Sequence, residues 1–203
     1  GPEVIAVARR VAETLVPDVS IETGLVGGAA IDAHGVPLTD ETLAQARHAT
    51  AVLLGAVGGP KWTSAPREKR PEMGLLNLRK GLDVFANLRP AFCFPALVDA
   101  SSLKRDRIEG LDLMIVRELT GGLYFGQPKR RERVNGHTRA VDTMEYHDYE
   151  IQRVMELAFR LAINRRQKVT SVDKANVLET SRLWRSIAAA AAADHSDVTL
   201  EHM

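Results

Sequence analysis

Short runs of apolar residues alternate along the chain with longer amphipathic stretches. Five stretches repeat their apolar positions at helical spacing, which predicts helices over residues 2–15, 39–46, 75–80, 148–164 and 180–193. Six shorter runs, each with at least one β-branched residue, predict strands over residues 20–22, 51–54, 84–89, 113–116, 169–172 and 198–201. Strands that alternate with helices indicate an α/β fold, with a mainly parallel sheet and flanking helices.

Two segments interrupt this alternation. Residues 55–70 are rich in Gly, Pro, Lys and Arg, which predicts a loop beside a ligand. Residues 126–146 are polar and strongly charged, with little periodicity. That segment is either a flexible insert or a protruding β-arm that another subunit covers.

Composition limits the classes of partner. The chain has 203 residues, and 27 basic against 26 acidic side chains leave a formal net charge of +1, so no general attraction to nucleic acid or to an anionic membrane is expected. No apolar run reaches the length of a membrane span. The single cysteine, Cys93, cannot form an internal disulfide, as is usual in a reducing compartment. We therefore predict a cytoplasmic protein.

Cations follow the predicted strands. Arg89 ends the strand over 84–89, Arg117 follows the strand over 113–116, and Lys174 follows the strand over 169–172. Loops at the carboxyl ends of parallel strands form the usual ligand site of an α/β sheet. Arg79 lies shortly before Arg89. Because several guanidinium groups in one site repel each other when empty, they predict a small ligand with at least two carboxylates or phosphates.

Two further side chains can transfer protons. A lysine that is partly desolvated beside other cations, as expected for Lys174, can act as a base near neutral pH. Tyr124, in the segment after Arg117, can donate a proton to a carbanion or an enolate. The pair predicts acid/base chemistry at a carbon acid.

Five segments resemble the β-decarboxylating dehydrogenases in order and spacing, and the similarity covers essentially the whole chain. They are residues 53–62, 74–80, 85–90, 116–126 and 172–178. Within that family the chain is similar to the isopropylmalate branch, because Leu75 and Leu76 precede Arg79. An apolar pair can receive an isopropyl group, whereas isocitrate-specific members place a polar residue there to meet a third carboxylate.

The resemblance implies a role for each matching residue. Tyr124 would protonate the enolate after carbon dioxide leaves, and Lys174 would take the proton from the C2 hydroxyl. The substrate-binding positions would be Arg79, Arg89, Arg117, Leu75, Leu76 and Val177. The positions on the side of the nicotinamide cofactor would be Glu72 and Asn176.

The resemblance also implies cofactors and assembly. The family uses NAD and Mg²⁺ or Mn²⁺, with the metal acting as a Lewis acid. The metal ligands are expected beyond Met203, as is much of the NAD site, so the chain is expected to be an incomplete fragment. Residues 1–88 would be the N-terminal part of a cofactor-side domain. Residues 89–203 would form the substrate and dimerisation domain, with the arm at 126–146 and an active site shared between the subunits of a homodimer.

Two alternatives stay open at this point. The first is a sister enzyme that acts on tartrate or malate, homoisocitrate or isocitrate. The second is a noncatalytic fragment that only dimerises through its arm.

Overall fold

The computed structural model describes residues 1–203, and the chain divides in it into two units, Gly1–Asp83 and Val84–Met203. The sequence placed a domain boundary a few residues later, after residue 88. None of the helices is both long and apolar enough to span a membrane.

Four helices form the regular structure of the first unit: α1 (Pro2–Leu15), α2 (Gly28–His34), α3 (Asp40–His48) and α4 (Pro71–Gly81). The Oγ1 atom of Thr39 caps α3 by accepting a hydrogen bond from Thr42 N at 3.2 Å. Gly74 lets α4 approach the segment before α3, since a Cβ at this position would lie 2.3 Å from the carbonyl oxygen of Pro37. This close packing fixes the helix that carries several candidate site residues.

Two predicted strands of the first unit are wrong. Residues 20–22 and 51–54 belong to no strand. A strand exists only where a partner supplies ladder hydrogen bonds, and this unit contains no strand pair. The apolar residues of the second segment are accordingly exposed, with 44% for Val52 and 65% for Leu53.

The second unit contains six strands and three helices. The strands are β1 (Ala86–Phe92), β2 (Asp112–Glu118), β3 (Arg130–Val134), β4 (His137–Val141), β5 (Lys168–Ser171) and β6 (Thr199–His202). The helices are α5 (Arg105–Ile108), α6 (Asp148–Ile163) and α7 (Glu179–Asp194).

The α/β class is confirmed, but the pairing of the strands corrects the expectation of a mainly parallel sheet. The pairs β1–β2 and β3–β4 are antiparallel, and only β5–β6 is parallel. The parallel pair is the one whose strands are joined by a full crossover helix, α7. Short helical segments alone connect β1 to β2, and a tight turn connects β3 to β4.

The core of this unit lies between α6, α7 and the β5–β6 sheet. Ile151 and Phe159 of α6 are completely buried, and Ala188 of α7 and Val198 pack against the same cluster. Burying side chains of this size contributes about 1.5–3 kcal/mol each. Because α6 also packs against β2, the helix links the β1–β2 sheet to the β5–β6 sheet.

The segment 126–146 contains a β-hairpin, as the predicted arm requires, and is not wholly irregular. β3 and β4 make a hairpin whose last pair, Val134 and His137, encloses a two-residue turn. Asn135 and Gly136 fill the turn, with φ of +49° and +80°. Asn-Gly is the preferred dipeptide for such turns because both positions require positive φ. The dipeptide was the sequence signal that distinguishes an arm from a flexible insert.

Candidate functional site

The antiparallel pairing of β1 and β2 places two of the predicted arginines on one face of the sheet. Asn87 lies opposite Arg117, and Arg89 lies opposite Ile115. Residues directly opposite each other, and residues two apart on one strand, share a face. Arg89 Nε donates a hydrogen bond to Asn87 Oδ1. The face therefore concentrates positive charge without a carboxylate.

Tyr124 contacts this face through Arg117. Nη2 of Arg117 donates a hydrogen bond to Tyr124 Oη at 2.8 Å, and the guanidinium carbon lies 5.3 Å from the centre of the tyrosine ring. The phenol accepts in this contact, so its own hydrogen is free to be donated to a ligand. Since Tyr124 is 52% exposed, a ligand in solution can reach the hydroxyl group.

None of the three predicted substrate-binding arginines pairs with a carboxylate of the chain. Arg165 and Arg185 differ in this respect, because they bind Asp112 at 2.7 Å and Asp173 at 3.0 Å. The arginines without a carboxylate partner are Arg79, Arg89 and Arg117. Guanidinium forks that lack an internal carboxylate are suited to the carboxylates of a ligand.

In the first unit, α4 carries three further predicted substrate contacts on one face, together with Glu72. Leu75 and Leu76 lie three and four residues after Glu72, and Arg79 lies four and three residues after the two leucines, which places all four toward one side of the helix. The two leucines and Arg79 are half-buried. The helix thus presents an apolar pair next to a cation, as a ligand with an alkyl group and a carboxylate would require.

Lys174 lies in the turn between β5 and α7. The side chain is exposed, and its ammonium group has no hydrogen bond or ion pair within the chain. Its backbone carbonyl accepts hydrogen bonds from Val177 N and Leu178 N, both at 3.0 Å. Asn176 and Val177 in the same turn are also exposed. The structure brings Arg89, Arg117 and Tyr124 together, whereas no hydrogen bond or ion pair links Lys174 to them.

Asp173 holds this turn against α7. Its carboxylate accepts two hydrogen bonds from Arg185 at 3.0 Å and one from Ala175 N at 2.9 Å. The hydrogen bonds from Arg185 hold the pKa of Asp173 below its ordinary value of 3.8. The carboxylate therefore stabilises the fold above that pH, and its contribution is lost only as the pH falls through the lowered pKa.

Sequence reasoning missed four groups beside the predicted site. Asn87 and Asp173 lie next to predicted residues, and Glu118 directly follows Arg117, so a polar residue beside a predicted site residue was the available signal. Tyr146 is distant from these residues in the sequence and comes close to Gly122 only in the folded chain. Burial, with the negative charges of Glu118 and Glu150, raises the pKa of this tyrosine.

The chain itself does not fit the divalent metal that the resemblance implies. It contains no group of three or more His, Cys, Asp or Glu side chains placed to hold an ion. The two residues expected beside NAD do suit a polar ligand. Glu72 and Asn176 are both exposed, and neither side chain is hydrogen-bonded within the chain.

Comparison with known proteins identifies the family of the chain. The family model for isocitrate/isopropylmalate dehydrogenase matches residues 1–203. A 3-isopropylmalate dehydrogenase of Anaeromyxobacter dehalogenans is 58% identical over 207 residues, which cover 100% of this chain and 59% of the relative. A 3-isopropylmalate dehydrogenase of Bacillus subtilis is 56% identical over 208 residues, which cover 100% of this chain and 57% of the relative.

Solved structures show the same fold. An isocitrate dehydrogenase from Methylococcus capsulatus superposes with a TM-score of 0.76 at 28% identity, over 100% of this chain and 57% of that protein. A β-decarboxylating dehydrogenase from Thermococcus kodakarensis gives a TM-score of 0.69 at 31% identity, over 100% of this chain and 54% of that protein. The chain spans less than two thirds of the proteins that it matches, and it belongs to the isocitrate/isopropylmalate dehydrogenase family.

Proposed function

We propose that the full-length protein, meaning this chain at the length of its relatives, catalyses NAD-dependent oxidative decarboxylation of 3-isopropylmalate to 4-methyl-2-oxopentanoate in leucine biosynthesis. The observation that carries the proposal is the shared face of Arg89 and Arg117, on which neither guanidinium has a carboxylate partner. The names of the 52–59% identical relatives support the choice of substrate. A biosynthetic role of this kind agrees with the predicted cytoplasmic location.

The arginines bind and orient the substrate. Arg89 and Arg117 each offer two parallel N–H donors, so the face that they share can hold a malate carboxylate in a fixed orientation. We assign Arg79 of α4 to a carboxylate as well, with Leu75 and Leu76 against the isopropyl group. We also assign Val177 to substrate binding.

Lys174 and Tyr124 move the protons. Lys174 takes the proton of the C2 hydroxyl during oxidation as the neutral amine, which becomes an ammonium group. No carboxylate of the chain pairs with this side chain and holds it in the protonated form. Tyr124 protonates the carbon that loses carbon dioxide, with its oxygen held by Arg117 at 2.8 Å. We propose that Lys174 acts in the site of the partner subunit of a homodimer.

NAD, when bound, supplies the acceptor for the C2 hydride. Glu72 and Asn176 are the residues of this chain that we assign to the cofactor, each from its own unit. We assign the Mg²⁺ or Mn²⁺ ligands to residues outside the chain, because the chain offers no cluster of ligands. No nucleic acid or membrane enters the proposal.

The substrate assignment predicts a selective defect for Leu76→Ser. Burying an isopropyl group against leucine contributes about 2–3 kcal/mol, and a hydroxyl group removes part of this contact and admits water. The variant of the full-length protein should therefore lose about tenfold or more in kcat/KM for isopropylmalate, but much less for unsubstituted malate. Steady-state kinetics on both substrates measures the difference. An equal loss on both would show that Leu76 only packs the core.

If the β3–β4 arm forms part of the dimer interface, a substitution in its turn should weaken the homodimer. Gly136 has a φ of +80° in the hairpin turn, and a side chain there strains the arm. Gly136→Ala should raise the dimer dissociation constant of the full-length protein by about tenfold. Gly110→Ala is the matched control, because Gly110 has a φ of +72° and, like Gly136, has open space around its Cβ position. Sedimentation that shows equal dimer stability in both variants would remove the arm from the interface.

A further inference from the structure

Glu118 is a buried carboxylate at the end of β2 that the proposed reaction does not use. It is 8% exposed, and three hydrogen bonds from the following loop satisfy it. Oε1 accepts from Thr120 N at 2.7 Å and from Thr120 Oγ1 at 2.5 Å, and Oε2 accepts from Gly121 N at 2.9 Å. A carboxylate that binds consecutive N–H groups fixes the course of the loop that supplies them.

Neighbouring groups hold the same loop from the other side. Arg153 Nη2 of α6 donates to Thr120 Oγ1 at 2.5 Å, so the threonine hydroxyl joins Glu118 to this helix. Gly122 N donates to the carbonyl oxygen of Glu145 at 2.7 Å. A Cβ on Gly122 would lie 2.4 Å from the hydroxyl oxygen of Tyr146, which leaves no room for a side chain. The loop therefore has one course past these groups.

The loop fixed in this way ends at Tyr124. Residues 122–124 form a single helical turn directly after the Glu118 contacts, and this turn places the tyrosine hydroxyl on Arg117. Arg117 does not depend on the loop, because the β1–β2 ladder holds its backbone opposite Asn87. Glu118 and Arg117 are neighbours on one strand, so their side chains lie on opposite faces. The Glu118 side chain binds the loop, and the Arg117 side chain contacts Tyr124, which the loop carries.

We infer that Glu118 is a positioning residue, whose carboxylate fixes the loop so that Tyr124 stays within hydrogen-bonding distance of Arg117. Its importance for the reaction rests on the proposed function, in which Tyr124 donates a proton and Arg117 binds a carboxylate. Loss of the Glu118 contacts should therefore disturb proton donation and leave substrate binding intact.

The test is Glu118→Gln in the full-length protein. The amide keeps the size of the side chain, but its nitrogen cannot accept a hydrogen bond, so part of the loop contacts is lost. We expect kcat for isopropylmalate to fall by about tenfold and KM to change by less than about twofold. In a Tyr124→Phe background the same substitution should cause no further loss, because Glu118 acts only through Tyr124. An additive loss in the double variant would overturn the inference.

Glu150→Gln is the matched control. Glu150 is 6% exposed and accepts a hydrogen bond from His147 N at the start of α6. Its carboxylate lies beside Gly121 but, unlike that of Glu118, makes no hydrogen bond to the loop of Tyr124. Both variants should lower the melting temperature, and only Glu118→Gln should lower kcat at unchanged KM. A kcat for Glu150→Gln that falls as far as that of Glu118→Gln would indicate a general structural role and contradict the inference.

A crystal structure of the Glu118→Gln protein separates this inference from the proposed function. Displacement of Tyr124 Oη beyond hydrogen-bonding distance of Arg117 would support the positioning role, even if the wild-type protein did not oxidise isopropylmalate. An unmoved Tyr124 would overturn the positioning role, even if the wild-type protein were fully active. If Tyr124 is displaced but kcat is unchanged, Glu118 is not important for the reaction.

Discussion

Replacing Lys174 with methionine is expected to lower kcat of the full-length protein by about a thousandfold, which is within the range for loss of a general base. Methionine keeps an unbranched side chain but removes the ammonium group. That group has no partner within the chain, so its removal breaks no internal contact and the fold should be preserved. Steady-state kinetics, with circular dichroism to confirm the fold, measures the effect.

Lys168→Met is the control for this substitution. Lys168 lies at the start of β5, and its exposed side chain pairs with Glu201 at 2.8 Å. An exposed ion pair contributes little to stability, so kcat should change by less than about twofold. A Lys174→Met protein that retained most of its activity would exclude Lys174 from the proton transfer.

Arg89→Lys is expected to weaken isopropylmalate binding by about a hundredfold, with NAD affinity unchanged. Lysine keeps the positive charge but cannot form two parallel hydrogen bonds with one carboxylate. It also loses the Nε donor that binds Asn87, so the group is no longer oriented on the shared face of β1 and β2. Calorimetric titration with each ligand separates the two affinities.

Arg165→Lys provides the comparison, because Arg165 binds Asp112 at the edge of the same sheet. An arginine that is paired within the chain should not affect substrate affinity when it becomes lysine. If Arg89→Lys bound isopropylmalate as tightly as the wild type, Arg89 would not hold a carboxylate.

Lys174→Met and Arg89→Lys together test whether the active site is shared between the subunits of the dimer. If Lys174 acts in the partner's site, a mixed dimer of Lys174→Met and Arg89→Lys protomers contains one intact site and one doubly altered site. Random mixing of equal amounts should then restore about a quarter of the wild-type activity, because half of the dimers are mixed and each has one active site. No recovery on mixing would place Lys174 in the site of its own subunit.

Local pattern was enough to predict the five longer helices of the chain. The apolar repeat of α6 continues over four turns and predicts the buried face that carries Ile151 and Phe159. Similarly, Leu75, Leu76 and Arg79 are close in sequence, so helical spacing alone indicates that they share a face of α4. Such predictions succeed because the interacting residues lie within one element.

Pairing between distant segments could not be predicted in this way. The face shared by Arg89 and Arg117 depends on the antiparallel register of β1 and β2, for which the intervening residues give no local signal. Residues 51–54 have a strand-like composition, yet composition does not indicate whether a partner strand lies alongside. The contact of Tyr146 with Gly122 likewise joins segments on either side of the arm.

Oxidation of isopropylmalate by the purified full-length protein tests the central claim most directly. With NAD and Mg²⁺ present, the account predicts equal amounts of NADH and carbon dioxide, and a kcat/KM at least about a hundredfold above that for isocitrate or tartrate. The preference should arise because Leu75 and Leu76 offer an apolar contact and no donor for a third carboxylate. Faster turnover of isocitrate or tartrate, or no NADH from isopropylmalate, would contradict it.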